Sequence, residues 1–377
     1  KIKMKLYIFF YIKYVYYKIT NLIVNIIFLK INKNKSNDLI IIKTDNIGDY
    51  VLFRNFLPEI RKDKKFKNSK ITLVANETCK DIINEFDIKY INHVVFINRK
   101  KFLYNLIYRI KFLIKLRSSN YHSLICPIYS RDFFICDWIS NWIFSQKKIS
   151  FAGDDSNQLQ IQKKISNPWY DDLFEYRSKE NIFEFENNKR FIEFFLKKKI
   201  LIKKTFFNIK KNKLKFKNYI CFFVDAGQVK RKYSIENFSK IAIKLLEMTN
   251  YKIIFLGQSK HNLNNMNLNK NFFNLCEKTS LTDLVKIISK SKLLISNDSC
   301  AQHIAAATNT NCLVIYAGFH YGRFLPYPKS IYPKHNVIMH PKINYNLIKK
   351  NLLSYKDINN IKTKDILKRI TSIINLK

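Results

Sequence analysis

Four short stretches gather polar and ionisable residues directly after apolar runs: "KTDNIGDY" (43–50), "DAGQVKRKYS" (225–234), "GQSK" (257–260) and "NDSCAQH" (297–303). In parallel α/β sheets such strand ends carry loops and helix N-termini whose free N–H groups face a crevice. Asp49 follows Gly48 where a strand turns into the helix "YVLFRNFLPEIRK". A carboxylate there acts as a general base if it faces the cleft, although a helix start stabilises its charge and lowers its basicity; a plain N-terminal cap is the alternative. Asp298 and Ser299 can cap a helix beginning near Cys300, leaving the next N–H groups for a phosphate, and capping alone would also explain them. His303 falls one turn into that helix, in a packing or hydrogen-bonding position unless other groups recruit it. Lys230, Arg231 and Lys232 follow a strand and turn, where cations suit a diphosphate.

These loops need a frame of strands. Residues 38–43, 70–75, 93–98 and 123–128 read as buried strands, separated by helical stretches near 49–62, 78–86 and 101–117. A second alternating series has strands at 218–227, 251–257, 292–297 and 311–318 and helices at 235–249 and 281–291. Alternation of this kind predicts right-handed βαβ units, parallel sheets and a two-domain α/β architecture with a cleft between the halves. The basic run 203–218 reads as an interdomain linker or exposed loop.

Composition limits the alternatives. A 47% hydrophobic fraction with 15% aromatic residues excludes a disordered chain. The formal charge of +40 is spread along the whole sequence with abundant Ile and Asn, a compositional signature rather than a nucleic-acid footprint, and no RNA or DNA motif accompanies it. Such a surface is still drawn to anionic lipid or acidic glycan. Seven scattered cysteines without a C-x-x-C pair suggest neither a zinc site nor a disulfide framework, and point to a reducing cytosol. The segment 1–36 is aromatic, aliphatic and punctuated by lysine; its longest uncharged run, 19–29, is too short to span a bilayer. A basic helix on the cytoplasmic leaflet and an amphipathic helix packed on the protein are its two readings.

Taken together, the ordered stretches carry a resemblance. "LIIIKTDNIGDYVLFRNFLPEIRK" resembles the opening of the ADP-heptose:lipopolysaccharide heptosyltransferases, glycosyltransferase family 9, with its Arg/Lys-x-Asp-x-x-Gly-Asp turn. "YSIENFSKIAIKLLE" resembles that family's Trp-Pro-x-Glu-x-Phe segment, and "LCEKTSLTDLVKIISKSKLLISNDSCAQHIAAATNTNCLVIYAG" its Gly-Lys-Thr-Ser-Leu helix and Asn-Asp-Ser-Gly-x-x-His motif.

The resemblance implies a GT-B architecture of two facing Rossmann-like domains. It places the acceptor domain at 37–205 and the nucleotide-sugar domain at 206–377, behind the N-terminal segment. It implies an inverting, metal-independent transferase with no cofactor, moving heptose or a related sugar from ADP-heptose to a lipid-linked, lipopolysaccharide-core or other cell-surface glycan. Asp49 matches the catalytic base. Lys230, Arg231, Lys232, Thr279, Asp298, Ser299, Cys300 and His303 match donor-side positions, and Thr44, Asp45 and Gly48 the acceptor or cleft loop. The enzyme is expected in the cytoplasm, peripheral on the anionic inner face of the membrane, with no specific nucleic-acid partner. A non-catalytic glycan- or lipid-binding protein with the same fold is the alternative. Four departures bear on it: Cys300 replaces Gly, Arg231 takes the place of a phosphate-contacting Lys, Tyr233-Ser234 replaces Trp-Pro, and no Asp or Glu lies between Gly257 and Cys276 to meet the donor ribose. The aromatic stretch Tyr129 to Trp142 is the expected source of acceptor loops.

Overall fold

The computed structural model describes residues 2–27, 37–117, 120–175, 182–210, 215–263, 266, 269–340 and 357–375. Two six-stranded parallel sheets form the frame, in the orders β3-β2-β1-β4-β5-β6 and β12-β11-β10-β7-β8-β9. The first holds β1 (Leu39–Lys43), β2 (Ile71–Asn76), β3 (His93–Ile97), β4 (Tyr121–Cys126), β5 (Ser145–Phe151) and β6 (Asp172–Phe174). The second holds β7 (Tyr219–Phe223), β8 (Lys252–Leu256), β9 (Phe272–Asn274), β10 (Leu293–Asn297), β11 (Cys312–Tyr316) and β12 (His335–Met339).

Central strands β1, β7, β10 and β11 are buried at every position. Helices cover both faces of a parallel sheet, so such strands read as unbroken apolar runs. Strands at or next to the edges read differently. β5 carries Lys147 and Lys148, while β6 and β9 are three residues long, too short for a sequence signal.

Eight helices matter to the site: α1 (Ile2–Ile27), α2 (Ile47–Phe53), α3 (Leu106–Arg117), α4 (Glu184–Leu196), α5 (Ile235–Met248), α6 (Leu281–Lys290), α7 (Cys300–Ala307) and α8 (Thr363–Ile374). Ser234, Ser280 and Ser299 cap α5, α6 and α7 by accepting N–H groups of the first turn. Helix α8 returns to pack on α5. Beneath α2 lies a buried polar knot: Arg54 pairs with Asp87 at 2.6 Å, and the Tyr50 hydroxyl donates to the same carboxylate at 2.9 Å.

The start of the basic run is anchored rather than free. Thr205 donates to the Val51 carbonyl at 2.7 Å, the Asn55 side chain brackets Phe206, and the Phe207 N–H donates to the Ala307 carbonyl at 3.0 Å. Within it, residues 211–214 lie outside the described residues. Helix α1 packs on the protein along one face. One stripe, Phe10, Tyr17 and Val24, is buried, and each such side chain contributes about 1.5–3 kcal/mol. The opposite face is exposed, and residues 28–36 lie outside the described residues. The stretch expected to supply acceptor loops splits as well. Ser130 and Asp132 reach the cleft, whereas Phe133, Phe134 and Trp138 pack against Phe10, Tyr14 and Tyr17 of α1.

Candidate active site

A cleft of about 590 Å³ opens where the carboxyl ends of the two sheets face each other. One wall comes from the first sheet: the loop 45–49 after β1, Thr78 after β2, Arg99 after β3, and Ser130 and Asp132 after β4. Asp225 to Gln228, Arg231 and Lys232 after β7, Gln258 and Ser259 after β8, Asp298 to Cys300 and His303 after β10, and His320, Arg323 and Phe324 after β11 supply the other.

The first wall is rich in carboxylates. Asp49 stands half-buried in the first turn of α2. Asp45 pairs with the fully buried ammonium of Lys43 at 2.9 Å, and Lys43 also donates to the Pro127 carbonyl. Burial pushes the Asp45 carboxyl up to about 7; the Lys43 ammonium opposes this and the Asp49 charge adds to it. Arg99 donates to the Thr44 carbonyl at 2.8 Å and reaches Asp132 at 3.3 Å, fixing the loop that carries both aspartates.

On the second wall, Ser299 caps α7 and its hydroxyl meets that of Ser296 at 3.0 Å. Arg231 faces Asp298 at 3.5 Å, and the Gln302 amide donates to the same carboxylate. Burial raises Asp298 to about 6, against the pull of Arg231. Cys300 sits in the wall as a thiol, its pKa pushed up to about 12 by burial. His303 is buried, shares a 2.6 Å hydrogen bond between Nδ1 and the Tyr327 hydroxyl, and is held neutral because burial lowers its pKa to about 3.

Gly48 explains how the walls approach so closely. A Cβ built there lies 2.7 Å from His303 Cδ2 and 3.8 Å from the Cys300 Cα. The starts of α2 and α7 therefore abut only because residue 48 lacks a side chain. Gly48→Ala is expected to cost ~1–3 kcal/mol, since Tyr327 pins the imidazole that would have to retreat. Thermal denaturation of the variant checks this; an unchanged midpoint would show that the ring moves freely.

Not every expected residue reaches the cleft. The structure gathers Asp45, Gly48, Asp49, Arg231, Lys232, Asp298, Ser299, Cys300 and His303 there. Thr44 is buried behind the loop, Lys230 is exposed on the turn Val229–Arg231, and Thr279 lies beside the start of α6; none of the three lines the cleft. Among the further residues that line it are Arg99, Asp132, Asp225 and Arg323. Asp225 brings a carboxylate to the end of β8, the region whose own sequence has no acid, and accepts the N–H groups of Gln258 and Ser259 at 2.6 and 2.8 Å. Burial opposes its ionisation, but those amides with Lys232 and His261 hold its pKa below the usual carboxylate range. Arg323 reaches across the cleft to Glu184, Ser130 and Asp154.

Two parallel α/β sheets whose strand ends face one another across a polar cleft define the GT-B class of glycosyltransferase. Residues 111–344 match the model of glycosyltransferase family 9 (heptosyltransferase), and the chain belongs to that family. It is a glycosyltransferase. Solved structures with the same fold include the Escherichia coli heptosyltransferase WaaC with ADP, at 12% identity and TM-score 0.66 over 89% of this chain and 99% of that one. The E. coli ADP-heptose lps heptosyltransferase II aligns at 14% identity and TM-score 0.65 over 90% and 98%. A family 9 glycosyltransferase from Veillonella parvula aligns at 14% and 0.65 over 91% and 99%. No curated protein sequence matches the chain.

Proposed function

We propose that this enzyme is an inverting, metal-independent transferase that moves heptose or a related sugar from ADP-heptose to a lipid-linked glycan, such as a lipopolysaccharide core. The observation that carries the reading is the placement of Asp49 on one wall of the cleft, with Arg231, Lys232 and the capped start of α7 on the other. The Asp49 carboxylate takes the proton of an acceptor hydroxyl as that oxygen attacks the anomeric carbon and the bond to the diphosphate breaks. Arg231, Lys232 and the first N–H groups of α7 meet the charge that develops on the leaving diphosphate, the task a metal performs in other transferases. Residues 37–205 serve the acceptor and 206–377 the donor, with Asp225 holding the donor-side loop in place of a ribose-binding acid. A lipid-linked acceptor puts the enzyme on the cytoplasmic face of the membrane. ADP as the nucleotide is supported by the E. coli relative solved with ADP and with ADP-2-deoxy-2-fluoro heptose.

A thermal-shift comparison of ADP, GDP, UDP, CDP and ADP-heptose tests the donor. A ligand bound only by the folded state adds about 2.7 kcal/mol at one hundred times its Kd, so ADP and ADP-heptose are expected to raise the midpoint selectively. Selective stabilisation by another nucleotide would change the donor and keep the transferase. Cys300 and the acid-free span after Gly257 favour a second reading, a non-catalytic binder; it predicts no product with any donor.

A further inference from the structure

Helix α1 is fastened to the first sheet's unit by one face only. Phe10, Tyr17 and Val24 are buried, the Arg109 guanidinium of α3 lies 3.9 Å from the Tyr17 ring centre and donates to Thr20, and the Trp138 indole donates to Asn21. On the opposite face Ile8, Ile12, Val15, Ile19 and Leu22 follow the i, i+4, i+7, i+11, i+14 helical spacing and are 52–66% exposed. Tyr104, just before α3, and Ile107 of α3 add exposed apolar side chains (72% and 66%) on the segment packed beside α1, and the Lys13 ammonium stands 5.5 Å from the Tyr104 ring. An apolar surface built from two packed elements is a binding face rather than scattered exposure.

Charge selects the occupant. No Asp or Glu occurs in residues 1–37 or 99–117. Lys18 of α1, Lys111 of α3, and Lys100 and Lys101 just before α3 are exposed. A second copy would set lysines against lysines, since neither segment carries a carboxylate, whereas anionic headgroups neutralise them. No helix among the described residues is long and apolar enough to cross a membrane. We infer that the outer face of α1, extended by Tyr104 and Ile107, lies in the headgroup–acyl boundary of an anionic bilayer. Because α1 is packed into the core, it acts as a fixed docking plane and not as a flexible tether, and membrane binding sets the orientation of the Asp49 wall. This inference concerns a surface remote from the cleft and stands independently of the donor assignment.

Deleting α1 would strip the core, so the test uses Ile12→Gln, Ile19→Gln and Leu22→Gln together in the full chain. Vesicles of phosphatidylglycerol and phosphatidylcholine are compared with pure phosphatidylcholine by flotation at low and high salt. The native chain is expected to float with the anionic vesicles alone, and the triple variant to partition at least ~10-fold less while keeping its melting point. Equal flotation of the variant, or no flotation of the native chain, overturns the inference. A native dimer that the variant converts to monomer, without vesicle binding, assigns the face to self-association instead. ADP stabilisation of the same samples reports the cleft separately.

Discussion

Asp49→Asn is expected to lower the rate of sugar transfer by roughly 10²–10⁴, the range that a positioned general base contributes. Donor binding and the melting point should stay close to native values, because Asp49 is half-buried and takes part in no ion pair among the described residues. Asparagine keeps the size of the side chain and its place in the first turn of α2, so the change removes the proton acceptor and little else. Release of ADP with saturating donor and acceptor measures the first quantity, and the ADP-induced thermal shift the second. A variant that binds ADP normally and transfers at the native rate would remove Asp49 from the chemistry and leave Asp45, raised towards 7 beside it, as the carboxylate to examine. Asp45→Asn separates the two: it breaks the pair with buried Lys43, so it should lose stability as well as rate.

The parts of this site legible in the sequence are those built by local chain geometry. A strand end, a Gly-Asp turn and a helix start place Asp49 and Gly48 within a few residues of one another, and the same grammar places Asp298 to His303. The illegible parts depend on tertiary approach. Arg99 and Asp132 lie 33 positions apart and meet only because β3 and β4 end on the same side of the sheet. Arg323 follows β11, a fifth polar strand end whose loop lies just beyond the stretch that carries the family motif. Lys230 and Thr279 do not line the cleft, for a different reason. Composition and motif position suit a phosphate contact, but Lys230 is exposed on the turn Val229–Arg231, and Thr279 stands beside the start of α6 without lining the cleft. Helix α1 was ambiguous in principle: apolar residues surround it on all sides, so periodicity could not separate a packed face from an exposed one.

The largest stability effect near the cleft is expected from Arg323→Met. The guanidinium donates to Glu184 at 2.8 Å, the Glu184 N–H donates to the Arg323 carbonyl at 2.8 Å, and Glu184 is only 1% exposed. Ser130 and Asp154 on the first sheet's side accept from the same Arg323 nitrogen, and the Tyr129 ring lies 4.9 Å away, so one side chain ties the β11 loop to three places on the facing unit. Burial disfavours the charged guanidinium, yet Glu184 and Asp154 outweigh it and hold its pKa above the usual arginine value. Methionine fills the space and strands the Glu184 carboxylate, to which, among the described residues, the Asn187 amide donates at 3.3 Å. Breaking a buried pair in this way costs about 3–5 kcal/mol. The sign of the partner change distinguishes pairing from packing. Arg323→Met with Glu184→Gln removes both charges, so the double variant should be more stable than Arg323→Met alone, with a coupling energy of ~1–3 kcal/mol in the double-mutant cycle. Denaturant unfolding of the four proteins measures it. Additive losses would show that Arg323 contributes through its stem and the Tyr129 contact.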